Sequence, residues 1–436
     1  MEAMTMKQEP VHSENHAASY YAATVNHQTD YPTLDTDISA DVCVVGGGLS
    51  GVSTALELSE RGYSVVLLEA RKIGWGASGR NGGQLIRAIT HDTGRFRNQI
   101  GQEGVDTLDQ MGLEAVRIVR ERVAKYGIDC DLKMGYFDAA TKPRHLDDLQ
   151  EELEFHQKLG YSEEMQFLDR DQVSEVVGSD CYVGGLIDRG SGHLHPLNLC
   201  IGEARAAEKM GARLFEYSAV KSIRYQERPK VETEKGSVTA DKLVLCGNAY
   251  MGNLEPRIGG KVLPAGSYIV ATEPLPESVH KRLMPADMAI CDQNVALDYF
   301  RLSEDKRLLF GGMCNYSGRD PKDIIRAMRP KMLKVFPELA STKIDFKWGG
   351  MIGIGANRMP QVGRVERNVY FAQAYSGHGV NCTHMSGRVI AEEISGNPER
   401  FNVYSKIRHM TFPGGRYLRS PLLAAGMLFH RAQDLL

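Results

Sequence analysis

The sequence predicts an α/β (α+β) fold in which a Rossmann-like nucleotide-binding domain carries a second domain built on an antiparallel sheet. Three observations support this. An apolar run, Asp41-Val-Cys-Val-Val-Gly46, stops at glycines and is followed by a helical stretch and a second apolar run. Apolar runs ending in glycine return at 242–250 and 370–381. Residues 262–350, lying between those returns, hold several strand-like runs.

At 436 residues the chain exceeds one ordinary core of about 100–200 residues, so two domains are expected. Its 52 basic and 55 acidic residues give a net charge of -3, which disfavours a polyanion-binding surface or a polybasic membrane patch. A small ligand is expected, with neither nucleic acid nor membrane as partner. The eight cysteines are scattered, with no C-x-x-C pair and no His cluster at zinc spacing, so no metal site is expected. They read as buried thiols of a reducing compartment. No run approaches the roughly 18 apolar residues of a membrane span. The polar start MEAMTMKQEPVHSENHAA lacks the apolar segment of a secretory signal, so the expected address is cytoplasmic.

In chain order, a tail and arm over 1–37 lead to the first strand at Asp41. Leu49 to Arg61 carries Val52, Ala55, Leu56 and Leu58 near helical spacing and ends at Gly62. Ser64-Val-Val-Leu-Leu-Glu69 is a second strand, and the three pieces form a right-handed β-α-β unit with parallel strands. Arg71 to Arg87 is a glycine-rich loop containing GWGASGRNGGQ. Helices are expected at EAVRIVRERVAKYG and HLDDLQEELEFHQKLG, with an extended segment, KMGYFDAATK, between them. GGLIDRGSGHLHPLNLC runs from strand through turn into the helix LNLCIGEARAAEKMGA, and KLVLCGNAY is a buried strand. SYIVATE, ALDYFRL and RLLFGG are further strands, and YFAQAYSGHGVN returns to strand, glycine turn and helix. The chain thus leaves the nucleotide-binding sheet and rejoins it twice. The expected division is 38–110, 181–255 and 350–400 for the nucleotide-binding domain, 111–180 and 256–349 for the substrate domain, and a tail segment over 401–436.

Gly46-Gly47-Gly48-Leu49-Ser50-Gly51 is a G-x-G-x-x-G placed between first strand and helix. Gly46 permits the tight turn, Gly48 the approach of a pyrophosphate, and Gly51 close helix-strand packing. The helix start supplies free N–H groups and partial positive charge. Glu69, eighteen residues beyond Gly51, stands where a ribose diol would be bound, which favours FAD or NAD over NADP. The loop that follows argues for FAD, because its glycines give backbone donors and little bulk along a long, flat ligand.

DVCVVGGGLSGVSTALELSERGYSVVLLEA followed by GWGASGRNGGQL resembles the D-amino-acid oxidase superfamily of FAD amine oxidases, and within it the gamma-glutamylputrescine oxidase branch. The resemblance spans nearly the whole chain, from SYYAAT through SGHGVN to FPGGRYLRSPL. It implies a cofactor set of Gly46, Gly48, Leu49, Ser50, Gly51, Glu69, Ala70 and Arg71 in the first unit. Gly76, Ala77 and Ser78 would follow the phosphates and ribityl chain, and Gly83, Gln84 and Leu85 the isoalloxazine near N5. Val220 would meet the adenine, Cys246 and Gly247 would close over the nucleotide, and Gly377, Gly379, Val380 and Asn381 would lie beneath the pyrimidine end of the flavin. Helix N–H groups there would stabilise charge developing on the flavin. His378 is equally a structural turn residue or a catalytic one.

Two departures from the family pattern matter. Gly350 stands where sarcosine oxidases attach their flavin through cysteine, so the FAD is expected to be noncovalent. Ile352 stands where glycine and D-amino-acid oxidases clamp a carboxylate with arginine, so the charged end of the substrate is expected far from the reacting carbon. Tyr299 and Arg301, two apart on one strand face, are candidates to line the substrate cavity, or else are surface strand residues. Oxidation of gamma-glutamylputrescine by dioxygen, giving aldehyde, ammonia and hydrogen peroxide, is the activity the resemblance implies. A secondary-amine or amino-acid oxidase, a flavin dehydrogenase of the same fold, and a noncatalytic nucleotide-binding module stay open.

Overall fold

A computed structural model describes residues 15–294, 297–315 and 320–412. Most of the polar start, Ala296 of ALDYFRL, and all of FPGGRYLRSPL after Phe412 lie outside the described residues.

The first sheet runs in the order Gln361–Glu366, Val369–Gln373, Ser237–Leu245, Asp37–Val45, Val65–Leu68, Arg213–Phe215. Its neighbours are parallel except at the Gln361–Glu366 edge. Two short strands, Ser222–Arg224 and Lys230–Glu232, add to Ser237–Leu245 as an antiparallel meander. The run Asp41-Val-Cys-Val-Val is apolar throughout because both of its faces are buried. Val42 and Val44 pack beneath the helices, while Cys43 and Val45 pack with Met251 and Ile258 on the other side. Helices Leu49–Glu60, Arg97–Tyr126, Pro196–Lys209 and Gly379–Ile394 cover the first face.

The second sheet runs Ile344–Ile354, Leu263–Thr272, Leu308–Asn315, Tyr299–Leu302, Ala289–Asp292, Lys133–Ala140, Gly184–His193, Gln84–Leu85, with Met165–Leu168 also pairing to Gly184–His193. It is antiparallel except between Ala289–Asp292 and Lys133–Ala140, which pair in parallel. Parallel neighbours need a long crossover, and the chain between these two strands provides one. One face packs Phe137, Ile290, Phe300 and Phe310 against Met328 and Met332 of the helix Ile324–Val335. The other face, with Tyr136, Cys291, Tyr299, Ile269 and Trp348, looks toward the glycine loop and the N-terminal arm.

The helix expected from 114 starts at Arg97, with non-helical backbone at Gly101 (φ 73°, ψ 178°). The Arg71–Arg87 loop contains a 3₁₀ turn, Ala77–Gly79, and the two-residue strand Gln84–Leu85. Strand Gly184–His193, in a segment assigned to the nucleotide-binding domain, hydrogen-bonds within the second sheet, whereas Arg97–Tyr126 packs with the helices of the first. Cys181 and Cys314 are half-buried and the other six cysteines buried, and none of the eight is in a disulfide. Among the described residues no helix is long and apolar enough to cross a membrane, and no three His, Cys, Asp or Glu side chains are grouped to hold a metal ion.

Candidate active site

The turn after the first strand is fixed by contacts within the chain. Gly46 has φ +111°, and a Cβ there would lie 2.8 Å from the Cys246 carbonyl oxygen, so it brings the Cys246-Gly247 strand end alongside. A Cβ on Gly51 would lie 1.8 Å from the Gly46 carbonyl oxygen, which allows only glycine between helix and strand. Gly48 caps the helix without a side-chain bond, and the Ser78 hydroxyl instead accepts from Leu49 N at 2.9 Å. Ser50 bonds the Tyr375 hydroxyl at 2.6 Å, tying this turn to the late strand–turn–helix.

Glu69 follows its strand directly and accepts from Gly47 N at 2.6 Å and Arg71 N at 2.9 Å. Burial pushes its carboxyl up, opposed by the N–H groups of Gly47, Arg71 and Ala70. Ala70 is exposed and Arg71 half-buried, with the Arg71 guanidinium 4.3 Å from the Trp75 ring centroid. Val220 packs half-buried against the cluster of Val45, Leu68 and Leu245 on the face away from the helices.

The glycine loop is pinned along its length. Buried Glu216 accepts from Ile73 N at 2.8 Å where the loop begins. Arg80 is buried, donates to Trp75 O at 2.8 Å and stacks over the same indole, while Trp348 donates to Arg80 O at 2.9 Å. Arg80 therefore holds the loop's shape. Gly76 lies against the Tyr250 ring, and Ala77 starts the 3₁₀ turn. Gly83 has φ +74° and donates its N–H to Asn81 Oδ1 at 2.8 Å. Gln84 donates to Ile290 O at 3.1 Å, and Leu85 is fully buried. At the far end, Arg87 forms a buried ion pair with Asp188 at 2.9 Å.

The late turn carries unusual backbone. Ala374 (φ 62°), Ser376 (φ 54°) and Gly377 (φ 108°) are all left-handed, as is Asn248 (φ 44°), whose Oδ1 accepts from Ala374 N at 2.9 Å. Left-handed non-glycine residues are sparse and gather where geometry is functionally constrained. His378 is the N-cap of Gly379–Ile394 and gives no side-chain cap, and among the described residues no side chain accepts from the first N–H groups of that helix. Burial, then His91 and Arg358, lowers His378 to about 3, and its ring meets His91 edge-on at 4.8 Å. It is a neutral imidazole through the working pH range. Val380 is buried, and Asn381 donates to Ala88 O at 2.7 Å while its buried Oδ1 has no partner among the described residues.

Both helix starts are held together behind the site. A Cβ on Gly387 would lie 2.7 Å from Ser53 Oγ, so the two helices cross closely there. Glu57 Oε1 pairs with Arg122 at 2.7 Å and with Arg388 at 3.0 Å. Burial pushes the Glu57 carboxyl up, yet Arg122, Arg388 and Arg61 outweigh it and bring it down to about 2.

On the second sheet Tyr299 and Arg301 do share a face, and both meet the loop. A Cβ on Gly82 would lie 2.5 Å from the Tyr299 ring, and one on Gly83 would lie 2.9 Å from Arg301 Nη2. The Tyr299 hydroxyl lies 3.3 Å from Ser267 Oγ, and burial pushes it up. Ile352 packs with Leu263, Ala265, Ile354 and Phe412, and a Cβ on Gly350 would lie 3.2 Å from Arg80 Cβ. Sequence reasoning missed Tyr21, Glu216, Asn248 and Tyr375. Tyr21, Asn248 and Tyr375 lie within SYYAAT, KLVLCGNAY and YFAQAYSGHGVN, whereas Glu216 carries no local signal.

These features fit an extended dinucleotide: a helix start at a glycine turn, a backbone-rich loop and a second helix start without a side-chain cap. The sequence model of the DAO family, described as FAD dependent oxidoreductase, matches residues 41–393. The chain is 44% identical over 97% of its length to Gamma-glutamylputrescine oxidoreductase of Escherichia coli, covering 99% of that protein. It is 40% identical over 97% of its length to the Probable oxidoreductase OrdL of Haemophilus influenzae, covering 98% of it. Among solved structures, glycine oxidase from Geobacillus kaustophilus superposes with a TM-score of 0.72 at 22% identity, over 85% of this chain and 99% of that one.

Proposed function

The chain belongs to the DAO family of FAD-dependent oxidoreductases, and from that premise we propose that it oxidises the primary amine of gamma-glutamylputrescine in putrescine catabolism. The products are gamma-glutamyl-aminobutyraldehyde, ammonia and hydrogen peroxide, with one dioxygen and one water consumed per amine. The observation that carries this reading is the similarity to the Escherichia coli enzyme along almost the whole of both chains.

Bound FAD supplies the two-electron acceptor for the amine carbon. The N–H groups at the start of Leu49–Glu60, with Ser78, would hold the pyrophosphate, and those of Gly379, Val380 and Asn381 would favour negative charge at the pyrimidine end. Gly83, Gln84 and Leu85 would border the ring, and Tyr299 would wall the substrate side. His378, lowered to about 3, is a poor base, and loss of the ammonium proton to water needs no base from the chain. Ile352 sits among apolar neighbours and offers no charge to a carboxylate beside the reacting carbon. Gly350 offers no nucleophile, which supports noncovalent FAD. A two-domain organisation and a cytoplasmic address complete the proposal.

The test is anaerobic reduction of the bound flavin by gamma-glutamylputrescine, putrescine, sarcosine and glycine, followed by peroxide assay in air. Gamma-glutamylputrescine should bleach the flavin fastest. Faster bleaching by free putrescine or by sarcosine overturns the substrate, and bleaching without peroxide in air overturns dioxygen as acceptor.

A further inference from the structure

We propose that Arg301 and Tyr21 are positioning residues that clamp the Gly82-Gly83 backbone, making the N-terminal arm a working part of the cofactor site. Arg301 is only 3% exposed. Its Nε donates to Gly82 O at 2.8 Å, and Nη1 donates to Leu302 O at 3.2 Å. Nη2 donates to Leu194 O at 2.8 Å and to the Tyr21 hydroxyl at 3.1 Å. Four of the five guanidinium N–H groups are thus committed within the chain, and no two remain side by side for a substrate carboxylate. Burying a cation costs desolvation, which the hydrogen bonds to the carbonyls of Gly82, Leu194 and Leu302 offset.

The clamp is tight. A Cβ on Gly83 would stand 2.0 Å from Leu194 O, and Leu194 N returns a bond to Gly83 O at 2.7 Å. Tyr21 is fully buried, its ring edge-on to Trp348 at 5.3 Å and to His195 at 4.9 Å. Trp348 itself donates to Arg80 O, so the arm reaches both ends of the Arg80–Gly83 stretch. The arm is stitched down elsewhere as well: Tyr20 donates to Asp305 at 2.9 Å, and Asn26 N to Asn198 Oδ1 at 3.0 Å. The proposal rests on the family reading only in placing this loop beside the flavin, and is independent of which amine is oxidised.

The test compares Tyr21→Phe and Arg301→Lys with the parent protein, each stripped of flavin and titrated with FAD. Removing one hydrogen-bond partner of a buried charge should weaken FAD binding about 10-fold in Tyr21→Phe, and losing the fork should weaken it about 100-fold in Arg301→Lys. Both variants should shift the visible spectrum of bound flavin and lower kcat/KM by the same factor for every amine. Unchanged FAD affinity and spectrum, with KM raised only for amines that carry a carboxylate, would make Arg301 a substrate contact and overturn the proposal. If Arg301→Lys does not fold, Tyr21→Phe, which loses a single oxygen, decides alone. A parent protein that binds FAD but is bleached by no amine would remove the proposed activity and leave the clamp standing.

Discussion

The helix Leu49–Glu60 starts from a turn where a Cβ on Gly51 would lie 1.8 Å from a backbone oxygen, whereas the helix Gly379–Ile394 starts where a Cβ on Gly377 or Gly379 would meet nothing within 4 Å among the described residues. The first turn is also served by a side chain, the Ser78 hydroxyl on Leu49 N, while the second has no side-chain cap. Glycine at 51 is therefore required by packing of the protein against itself. Gly377 is required by its φ of +108°, and Gly379 by neither packing nor a left-handed backbone. Two helix starts that look alike in sequence answer to different constraints, and substitutions should separate them.

The largest effect should come from breaking the junction that holds the two starts in one frame. Glu57→Gln leaves Arg122 and Arg388 without their shared carboxylate, and removing one partner of a buried ion pair costs about 3–5 kcal/mol. In the parent, the Glu57 carboxyl is lowered from 4.5 to about 2 on folding. Its contribution is fully present above pH 4.5 and is lost as pH falls toward 2, about 3 kcal/mol in all. Urea unfolding at a series of pH values should show that acid-side slope in the parent and a flatter one in Glu57→Gln. An unchanged slope would mean that another group ties the helices together.

Next in size is Gly51→Ala, where the new methyl must drive the helix off the strand. Overpacking of this kind costs about 3 kcal/mol, and it should appear in thermal melts of the flavin-free protein as well as in FAD affinity. A variant that melts like the parent without flavin and loses only FAD binding would erase the contrast between the two turns.

What the sequence revealed followed the range of the contacts. The first β-α-β unit was legible because strand, glycines, helix and Glu69 all lie within about thirty residues, and the roles expected of Gly46 and Gly51 match what a Cβ there would strike. The shared face of Tyr299 and Arg301 followed from strand periodicity, but the target of Arg301 did not, since Tyr21 lies 280 residues away. The helix Arg97–Tyr126 was seen only from 114 because Gly101, Gly104 and Gly112 depress helix propensity. Gly112 is there for packing: a Cβ would lie 2.8 Å from Ala88 Cα, in the backbone that Asn381 also holds. Tertiary contact overrode local preference, and no window of sequence contains both partners.

The smallest effect on the fold, and the sharpest on the comparison, belongs to Gly379→Ala. Alanine suits a helix better than glycine by up to about 1 kcal/mol, so the flavin-free protein should melt no lower than the parent. The methyl would nevertheless stand among the first N–H groups of a helix that has no side-chain cap, where close approach by an anionic group is what the backbone offers. FAD affinity should therefore fall about 10-fold, measured by titrating the stripped protein, while the melting temperature holds or rises. Loss of stability without flavin would show that this turn, like the first, is constrained by the protein's own packing. Unchanged stability and unchanged affinity together would mean that the late helix start does not meet the cofactor, and would leave the free N–H groups there without a role.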